Sequence, residues 1–202
     1  MTPKARDIHR AKQSAWERQA QRRRRIIVGA WIGAGLVFAA LVAYLAWQQS
    51  QPIPRTGEDI PLQPADHIEI GQPHEPYTSD PPTSGPHYAQ PAEPGFYEAA
   101  PPDEQLVHNL EHGYVLIWYN CSALAPEACA QLKSQIRSAM QSAGASRYTG
   151  TPKLIAVPRP GMDALLALTS WGRLDKFNAF DQERIRNFIR AFRDHAPEPN
   201  AQ

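Results

Sequence analysis

The sequence predicts a small domain of the α+β class (or α/β) that follows one transmembrane helix. Residues 26–47 form a run of 22 residues without a charge, an asparagine or a proline. Farther along the chain, short β-prone runs alternate with amphipathic helical patterns in the order β-α-β-β-α. Between these two parts, 13 of the 20 prolines fall within residues 52–102. Because proline lacks an N–H donor, that stretch cannot hold a long helix or a central strand.

The apolar run is long enough to span a bilayer. At a rise of about 1.5 Å per residue, it crosses the roughly 30 Å hydrocarbon core with modest tilt. Residues 1–25 carry nine Lys or Arg and two acidic residues, whereas no cation follows the run before Arg55. The positive-inside bias therefore places the N-terminus in the cytoplasm and residues 48–202 on the other side. A cleaved signal peptide is the alternative, but its apolar region has only about 7–15 residues, so an uncleaved anchor is expected.

The charge balance beyond the apolar run and the small residues within the run indicate which partners the chain can bind. Residues 48–202 carry 12 basic and 18 acidic residues, a balance that argues against nucleic-acid binding outside the cytoplasm. Within the apolar run, Gly29 and Gly33 form a GxxxG pattern that allows two helices to pack closely, so a homodimer through the membrane is one alternative. A short tether to the membrane also predicts a partner in or on the same membrane, such as another inner-membrane protein.

The composition divides the chain into five segments. We predict a basic cytoplasmic tail (1–25), a transmembrane helix (26–47), a linker (48–65), one extracytoplasmic domain (66–197) and a short terminal tail (198–202). The roughly 155 residues beyond the span are enough for one domain with its own core.

Local patterns predict the elements of the domain. His67–Ile70 alternates briefly and predicts a short strand, and residues 71–102 form a long proline-punctuated loop. Asp103 suits the N-cap of a short helix that ends at His112, with Gly113 in the C′ position. The later elements are a strand (114–119), a helix (126–142), a strand (153–157), its hairpin partner (165–171) and a last helix (181–193). A hairpin followed by a last helix is also the order of the C-terminal half of a thioredoxin-like fold.

The histidines of this domain predict a metal site. His108 and His112 are four residues apart on the predicted helix, so both imidazoles can bind one ion. His87 and His74 lie on the loop that could fold over them, and Met162 in a later turn could add a thioether. Imidazoles with one thioether favour copper, although an all-histidine set suits zinc equally well. The first interpretation is therefore a non-enzymatic domain that binds one transition-metal ion.

Two other interpretations remain open. The histidines could be structural, which would leave a scaffold or a partner-docking domain. Alternatively, residues 108–112 match the H-x-x-E-H pattern of inverted zinc peptidases, in which Glu111 would activate water in a zinc hydrolase. Those peptidases carry the motif on a long helix, whereas Gly113 ends this helix at once, so the match alone is a weak signal.

The two cysteines of the chain, Cys121 and Cys129, are separated by seven residues. In an oxidising compartment such a pair predicts a structural disulfide. A catalytic dithiol normally has C-x-x-C spacing at the start of a helix, and this spacing does not reproduce it.

Four sequence strings together resemble a known family. They are YTSDPPTSGPHY from Tyr77, LVHNLEHG from Leu106, WYNC from Trp118 and LTSWGR from Leu168. On these residues the chain resembles the bacterial "domain of unknown function 3105" proteins over roughly residues 67–197. The resemblance implies a domain boundary and a bacterial setting, hence a single-pass protein of the cytoplasmic (inner) membrane whose domain lies in the periplasm or on the extracellular side. It implies no reaction.

Overall fold

The structure is a computed structural model that describes residues 3–201. The chain divides into two compact units, one up to Pro52 and one from Ile53 onward. The first unit contains one helix, α1 (Pro3–Ser50), so the predicted basic tail and the apolar run are continuous in secondary structure. Within α1, Gln21–Gln48 is long and apolar enough to cross a membrane once, with a mean hydropathy of 2.4. Length and composition fit a single-pass anchor, and they would fit a signal sequence equally.

The described part of the second unit contains eight strands and three helices. The strands are β1 (Glu58–Asp59), β2 (His67–Ile68), β3 (His87–Tyr88), β4 (Gly95–Phe96), β5 (Val115–Tyr119), β6 (Leu154–Pro158), β7 (Leu166–Ser170) and β8 (Arg173–Phe177). The helices are α2 (Asp103–Glu111), α3 (Pro126–Ser142) and α4 (Gln182–Phe192). Six strands form one mixed sheet in the order β1-β8-β7-β5-β6-β4, while β2 and β3 form a separate ladder. The predicted α+β class is confirmed.

Strand β5 is the centre of the sheet. It pairs with β6 in parallel and with β7 in antiparallel orientation, and all five of its residues are buried. The prediction that residues 165–171 form a hairpin with residues 153–157 is therefore wrong, because β5 lies between them. The hairpin consists of β7 and β8 instead. A strand that is buried on both faces shows no alternation, so its sequence does not identify its neighbours.

The sequence does not predict β8, because its residues RLDKF carry three charges that are typical of a surface turn. In the structure, each charge has a partner of opposite sign. The pairs are Arg173 with Asp59, Asp175 with Arg184, and Lys176 with Asp163.

The sheet separates two apolar clusters. Alternate residues of β5 face opposite sides, with Ile117 in the cluster that α3 and α4 cover and Trp118 in the cluster that α2 covers. The indole N–H of Trp118 donates to the hydroxyl of Thr169 at 2.8 Å, so this buried donor is satisfied. All described members of both clusters come from the second unit, which therefore has its own core.

Residues 53–65, which the sequence predicts as part of a linker, pack onto the domain. Glu58 and Asp59 pair with β8 at the edge of the sheet. Ile53 packs against the first cluster and Ile60 against the second. The compact unit therefore begins at Ile53, whereas the prediction starts the domain at residue 66. An edge strand of two residues has no periodicity that a sequence could show.

Cys121 and Cys129 form a disulfide, in agreement with the sequence. It links the residues after β5 to the first turn of α3, which begins at Pro126 as predicted. Closing so short a loop stabilises a fold by roughly 2–3 kcal/mol.

Helix α2 ends where the chain meets its own C-terminal segment. Gly113 has a φ of 82°, and its N–H donates to the Leu110 carbonyl at 2.9 Å. Its carbonyl accepts the N–H of Asp194 at 3.0 Å. A Cβ at residue 113 would lie 2.9 Å from the Cα of Asp194, which is closer than real Cβ atoms approach another backbone. Both conformation and space therefore require glycine here.

Replacing Gly113 with alanine is expected to destabilise the domain more than the same change at Gly144. Both glycines have a positive φ, 82° and 66°, but nothing lies within 4 Å of a Cβ at residue 144. Backbone strain alone costs an L-residue about 1–2 kcal/mol, and at Gly113 the contact with Asp194 adds to it. Urea unfolding of the two variants measures the difference. Equal losses of stability would show that the approach of Asp194 is not a constraint.

Candidate metal centre

Two short strands place two histidines side by side. β2 and β3 pair in parallel, and their register sets His67 opposite His87. The His87 N–H donates to the carbonyl of Asp66 at 3.0 Å. The two imidazole centroids lie 4.9 Å apart, with the rings at 82° to each other. The side chain of His87 is fully buried, whereas 55% of the His67 side chain is exposed.

Helix α2 supplies further polar side chains from the face that is turned away from the sheet. Leu106 and Leu110 pack in the cluster beneath the helix. His108 and His112 follow one another at i and i+4 on the opposite side, and Glu111 lies beside them. All three of these polar residues are buried. The pattern LVHNLEHG therefore gives one apolar and one polar face, both of them covered.

Buried hydrogen bonds hold the proline-rich loop against α2. Asn109 makes two bonds with Ala92: its Nδ2 donates to the carbonyl and its Oδ1 accepts the N–H, each at 2.9 Å. The Tyr77 hydroxyl donates to the Pro86 carbonyl at 2.8 Å. Gly85 has a φ of 127°, and a Cβ there would lie 3.0 Å from the Tyr77 ring. These hydrogen bonds hold the loop in a defined conformation that covers the polar face of α2.

The polar side chains converge on one small region. One ring nitrogen from each of His67, His87 and His108 lies within 4.8 Å of the others. Glu111 Oε2 is 3.0 Å from His87 Nε2 and 3.9 Å from His67 Nε2. Around a tetrahedral Zn²⁺ with bonds of about 2.0–2.1 Å, two nitrogen ligands lie about 3.4 Å apart. The ring nitrogens of the three imidazoles therefore lie up to about 1.4 Å farther apart than in a bound set, and they would move closer together to hold one ion.

Backbone carbonyls orient the two buried imidazoles of this group. His87 Nδ1 donates to the Gly85 carbonyl at 2.8 Å, and His108 Nδ1 donates to the Tyr88 carbonyl at 2.6 Å. Because a carbonyl can only accept, Nδ1 carries the proton in each ring, which leaves Nε2 for the interior of the site. Metal-binding histidines are held in this way, by a carbonyl or carboxylate that fixes the tautomer and the ring orientation.

One contact in the site brings two acceptors together, because His87 Nε2 faces Glu111 Oε2 at 3.0 Å. The other close contact joins His108 Nε2 and His112 Nε2 at 2.9 Å, where a His112 ring protonated at Nε2 would donate to His108. With Nδ1 protonated, the neutral His87 ring has a lone pair at Nε2, and an ionised Glu111 also accepts. A proton or a metal ion shared across this contact would stabilise it, so the arrangement favours a cation.

The environment of His108 favours its neutral form. Burial, together with the neighbouring imidazoles of His112, His87 and His67, lowers the pKa of His108 below its ordinary value. The hydrogen bond to the Tyr88 carbonyl raises the pKa and offsets part of this effect. Neutral imidazole is the form that binds a metal ion, so the lowered pKa suits a ligand.

Of the five ligands that the sequence predicts, the structure brings together His87, His108 and His112. His74 has other partners: its Nδ1 donates to the Glu75 carbonyl at 2.7 Å, and its Nε2 lies 3.4 Å from Glu104 Oε1. Met162 is buried in the apolar cluster on the sheet side of α2. Neither residue belongs to the converging group.

His67 is the member of the group that the sequence does not predict. The alternation in His67–Ile70 predicts a strand, but it does not show which strand lies beside it. The partner, β3, has only two residues and follows a run of prolines. The proximity of His67 to the other histidines depends on this pairing, which has no local signal.

The C-terminal segment packs against the end of α2 beside the site. Lys153 is fully buried, and its Nζ donates to the carbonyls of His112 and Pro199, each at 2.7 Å. Burial lowers the pKa of Lys153, and the nearby Asp194 carboxylate opposes that change. The N–H of Glu198 donates to the Glu111 carbonyl at 3.0 Å, and Glu198 Oε2 lies 3.6 Å from His112 Nε2. Residues 198–201, predicted as part of a tail, are thus attached to the domain; Gln202 lies outside the described residues.

The family comparison agrees with the resemblance in the sequence. Residues 67–202, about two thirds of the chain, match the family described as "Protein of unknown function (DUF3105)", so the chain belongs to that family. The match begins at His67 and includes the whole histidine group. No curated protein and no solved structure matches the chain, so the thioredoxin-like analogy stays a prediction.

Proposed function

We propose that this member of the DUF3105 family binds one transition-metal ion through His67, His87 and His108. The observation that carries the proposal is the carbonyl-held orientation of His87 and His108, which leaves both Nε2 atoms for the interior of the site. Glu111 and His112 border these imidazoles and are the candidates for a fourth ligand. His67 is the exposed member, so the ion would exchange on its side of the site.

Copper and zinc are the metals that this ligand set suits. Imidazole binds both, and a carboxylate adds to either set. The sequence suggests Met162 as a thioether ligand that would favour copper, but its side chain packs in the apolar cluster. Both cysteines form the disulfide, so no thiolate competes for the ion. Copper stays the first candidate because a nitrogen-rich site binds Cu²⁺ more tightly than Zn²⁺ at equal availability.

We also propose that α1 anchors the protein in the bacterial cytoplasmic membrane with the domain outside the cytoplasm. The nine cations of residues 1–25 support this orientation through the positive-inside bias. A disulfide between Cys121 and Cys129 also fits an oxidising compartment. The domain would then handle its metal ion beside the membrane, where a partner in the same membrane could receive it.

The protein is expected to bind one equivalent of Cu²⁺ or Zn²⁺ after chelator treatment and reloading. His87→Ala and His108→Ala each remove a ligand, so each should weaken binding beyond the roughly 10–100-fold that losing an outer hydrogen-bond partner costs. Elemental analysis gives the stoichiometry and the metal, and titration against a competing chelator gives the affinity.

His74→Ala and Met162→Leu are the matched controls, because His74 contacts Glu104 and Met162 packs in the apolar cluster. Both variants should keep the metal. Metal at background level in the unaltered protein, or an unchanged affinity in His87→Ala, contradicts the proposal and leaves the scaffold or partner-docking interpretation.

A zinc hydrolase is the second candidate, favoured by a buried Glu111 carboxylate 3.0 Å from His87 Nε2. Three imidazoles that leave one position for water are typical of catalytic zinc sites. Glu111→Gln separates the two functions. If Glu111 is a metal ligand, this substitution lowers the metal affinity. If Glu111 is a general base, the substitution abolishes hydrolysis of activated esters or peptides while the metal stays bound. Absence of hydrolysis by the zinc-loaded protein would leave the binding function alone.

The membrane orientation is expected to appear in reporter fusions to the full chain. Alkaline phosphatase fused after Gln202 should be active, because this enzyme needs an oxidising compartment, and a fluorescent protein that folds only in the cytoplasm should be dark there. An N-terminal epitope tag should remain on the membrane-bound protein. Loss of that tag with retention of the domain would show that residues 26–47 act as a cleaved signal.

A further inference from the structure

The nine arginines of the domain fall into two groups. Five have a carboxylate within 4.0 Å: Arg137, Arg159, Arg173, Arg184 and Arg186. The other four have no carboxylate within that distance in the described part of the chain: Arg55, Arg147, Arg190 and Arg193. Because acidic residues outnumber basic ones beyond the span by 18 to 12, unpaired guanidinium groups stand out.

The unpaired arginines gather in one place. Arg147, Arg190 and Arg193 line a cavity of about 250 Å³ together with Ile53. Arg55 follows Ile53 by two residues, and its guanidinium lies over the ring of Phe192 at 5.2 Å from the centroid. Three cations from two separate parts of the chain therefore line a cavity at the start of the domain, and Arg55 follows the lining residue Ile53 by two positions.

The acidic group in the cavity, Asp194, has several partners. Its carboxylate accepts the Ser146 hydroxyl at 2.6 Å and the backbone N–H of Arg147 at 3.2 Å. The same carboxylate lies 3.9 Å from Nζ of the buried Lys153, and it also interacts electrostatically with the neighbouring Arg193. Among the described residues, the guanidinium groups of Arg147 and Arg190 still have no carboxylate within 4.0 Å.

The guanidinium groups differ in how free they are to bind a ligand. Arg193 donates from Nη1 to the carbonyls of Gly144 and Pro152, at 2.9 and 3.1 Å, so it is structural. Arg147 and Arg190 are exposed, and no hydrogen bond to another side chain engages their guanidinium groups in the described structure. A planar guanidinium fork matches phosphate oxygens in pairs, which makes phosphate the anion that suits this cavity best.

Only Gln51 and Pro52 lie between the end of α1 at Ser50 and Ile53, which lines the cavity. Three extended residues span at most about 10 Å. The predicted span ends at Trp47, and the three helical residues that follow it, at about 1.5 Å each, fit within a headgroup layer that is roughly 5–7 Å thick. A connection of this length allows the cavity to reach lipid phosphates, whose charge acts over a Debye length of about 8 Å at physiological ionic strength.

We propose that Arg147 and Arg190, assisted by Arg55, bind the phosphate groups of anionic lipids at the surface of the membrane that α1 spans. The metal centre takes no part in this contact, which rests on the proposed function for the membrane anchor and for the side of the membrane on which the domain lies. Free phosphate would meet the same guanidinium groups, so the test includes it as a separate arm.

The test uses the full chain in lipid nanodiscs and the arginine reagent phenylglyoxal, with mass spectrometry of each modified arginine. Discs of neutral phosphatidylcholine are compared with discs in which one third of the lipid is phosphatidylglycerol. Modification of Arg147 and Arg190 should slow by about five-fold in the anionic discs, the factor expected for a cation near an anionic surface. High salt should remove the difference. Both faces of a disc are anionic, so the result does not depend on the orientation of the protein or on its metal.

Internal controls and paired variants make the outcome specific. Arg137 is exposed but ion-paired with Glu98, so its rate should be the same in both discs. The double variant Arg147→Gln/Arg190→Gln should lose the protection of Arg55. The double variant Lys133→Gln/Arg137→Gln removes the same charge from residues that pair with Glu98 and should keep that protection. Equal rates for Arg147 and Arg190 in the two discs overturn the proposal. Protection by inorganic phosphate in neutral discs, without any effect of anionic lipid, overturns the lipid as the ligand.

Discussion

The burial of both faces of α2 is the constraint on which the rest of the domain depends. Leu106 and Leu110 attach the helix to the sheet, and the proline-rich loop covers its other face. Polar side chains on that covered face are removed from water, and each buried donor or acceptor without a hydrogen bond costs about 1–3 kcal/mol of folding free energy. Each therefore needs a partner inside the protein, and the loop provides most of them. Asn109 binds Ala92, and His108 binds the carbonyl of Tyr88.

The prolines make the loop suitable for this task. A proline has no N–H and a fixed φ, so a proline-rich segment forms few hydrogen bonds of its own and loses less entropy on ordering. Its carbonyls are then free to accept bonds from side chains, as Pro86 does from Tyr77 and Gly85 from His87. The acceptors that satisfy the buried histidines also fix their tautomers. The hydrogen bonds that satisfy the buried histidines thus also fix the orientation of the candidate metal ligands.

Elements with strong local signals could be predicted from the sequence, and those that depend on pairing could not. Pro126 and the apolar stripe of α3 define that helix without reference to its neighbours. The spacing of His108 and His112 likewise needs only the helix that carries them. The position of His67 depends on a ladder of two residues per strand, and the β7–β8 hairpin depends on β5 lying between β6 and β7. The packing of Met162 in the apolar cluster could not be predicted, because a methionine in a turn has the same sequence pattern whether its sulfur binds an ion or fills a core.

The buried Lys153 links the end of α2 to the C-terminal segment. Burying an ammonium group costs several kcal/mol unless good acceptors surround it. Here two carbonyls accept its protons, one at the end of α2 and one at Pro199, while Asp194 supplies a nearby charge. The backbone of the same Asp194 lies so close to Gly113, which ends the helix, that a side chain there would collide with it. Through these hydrogen bonds and contacts, the last residues of the domain and the backbone of His112 hold each other in place. A change in the C-terminal segment would therefore reach the histidine group through the backbone of α2, in addition to the direct contact of Glu198 with His112.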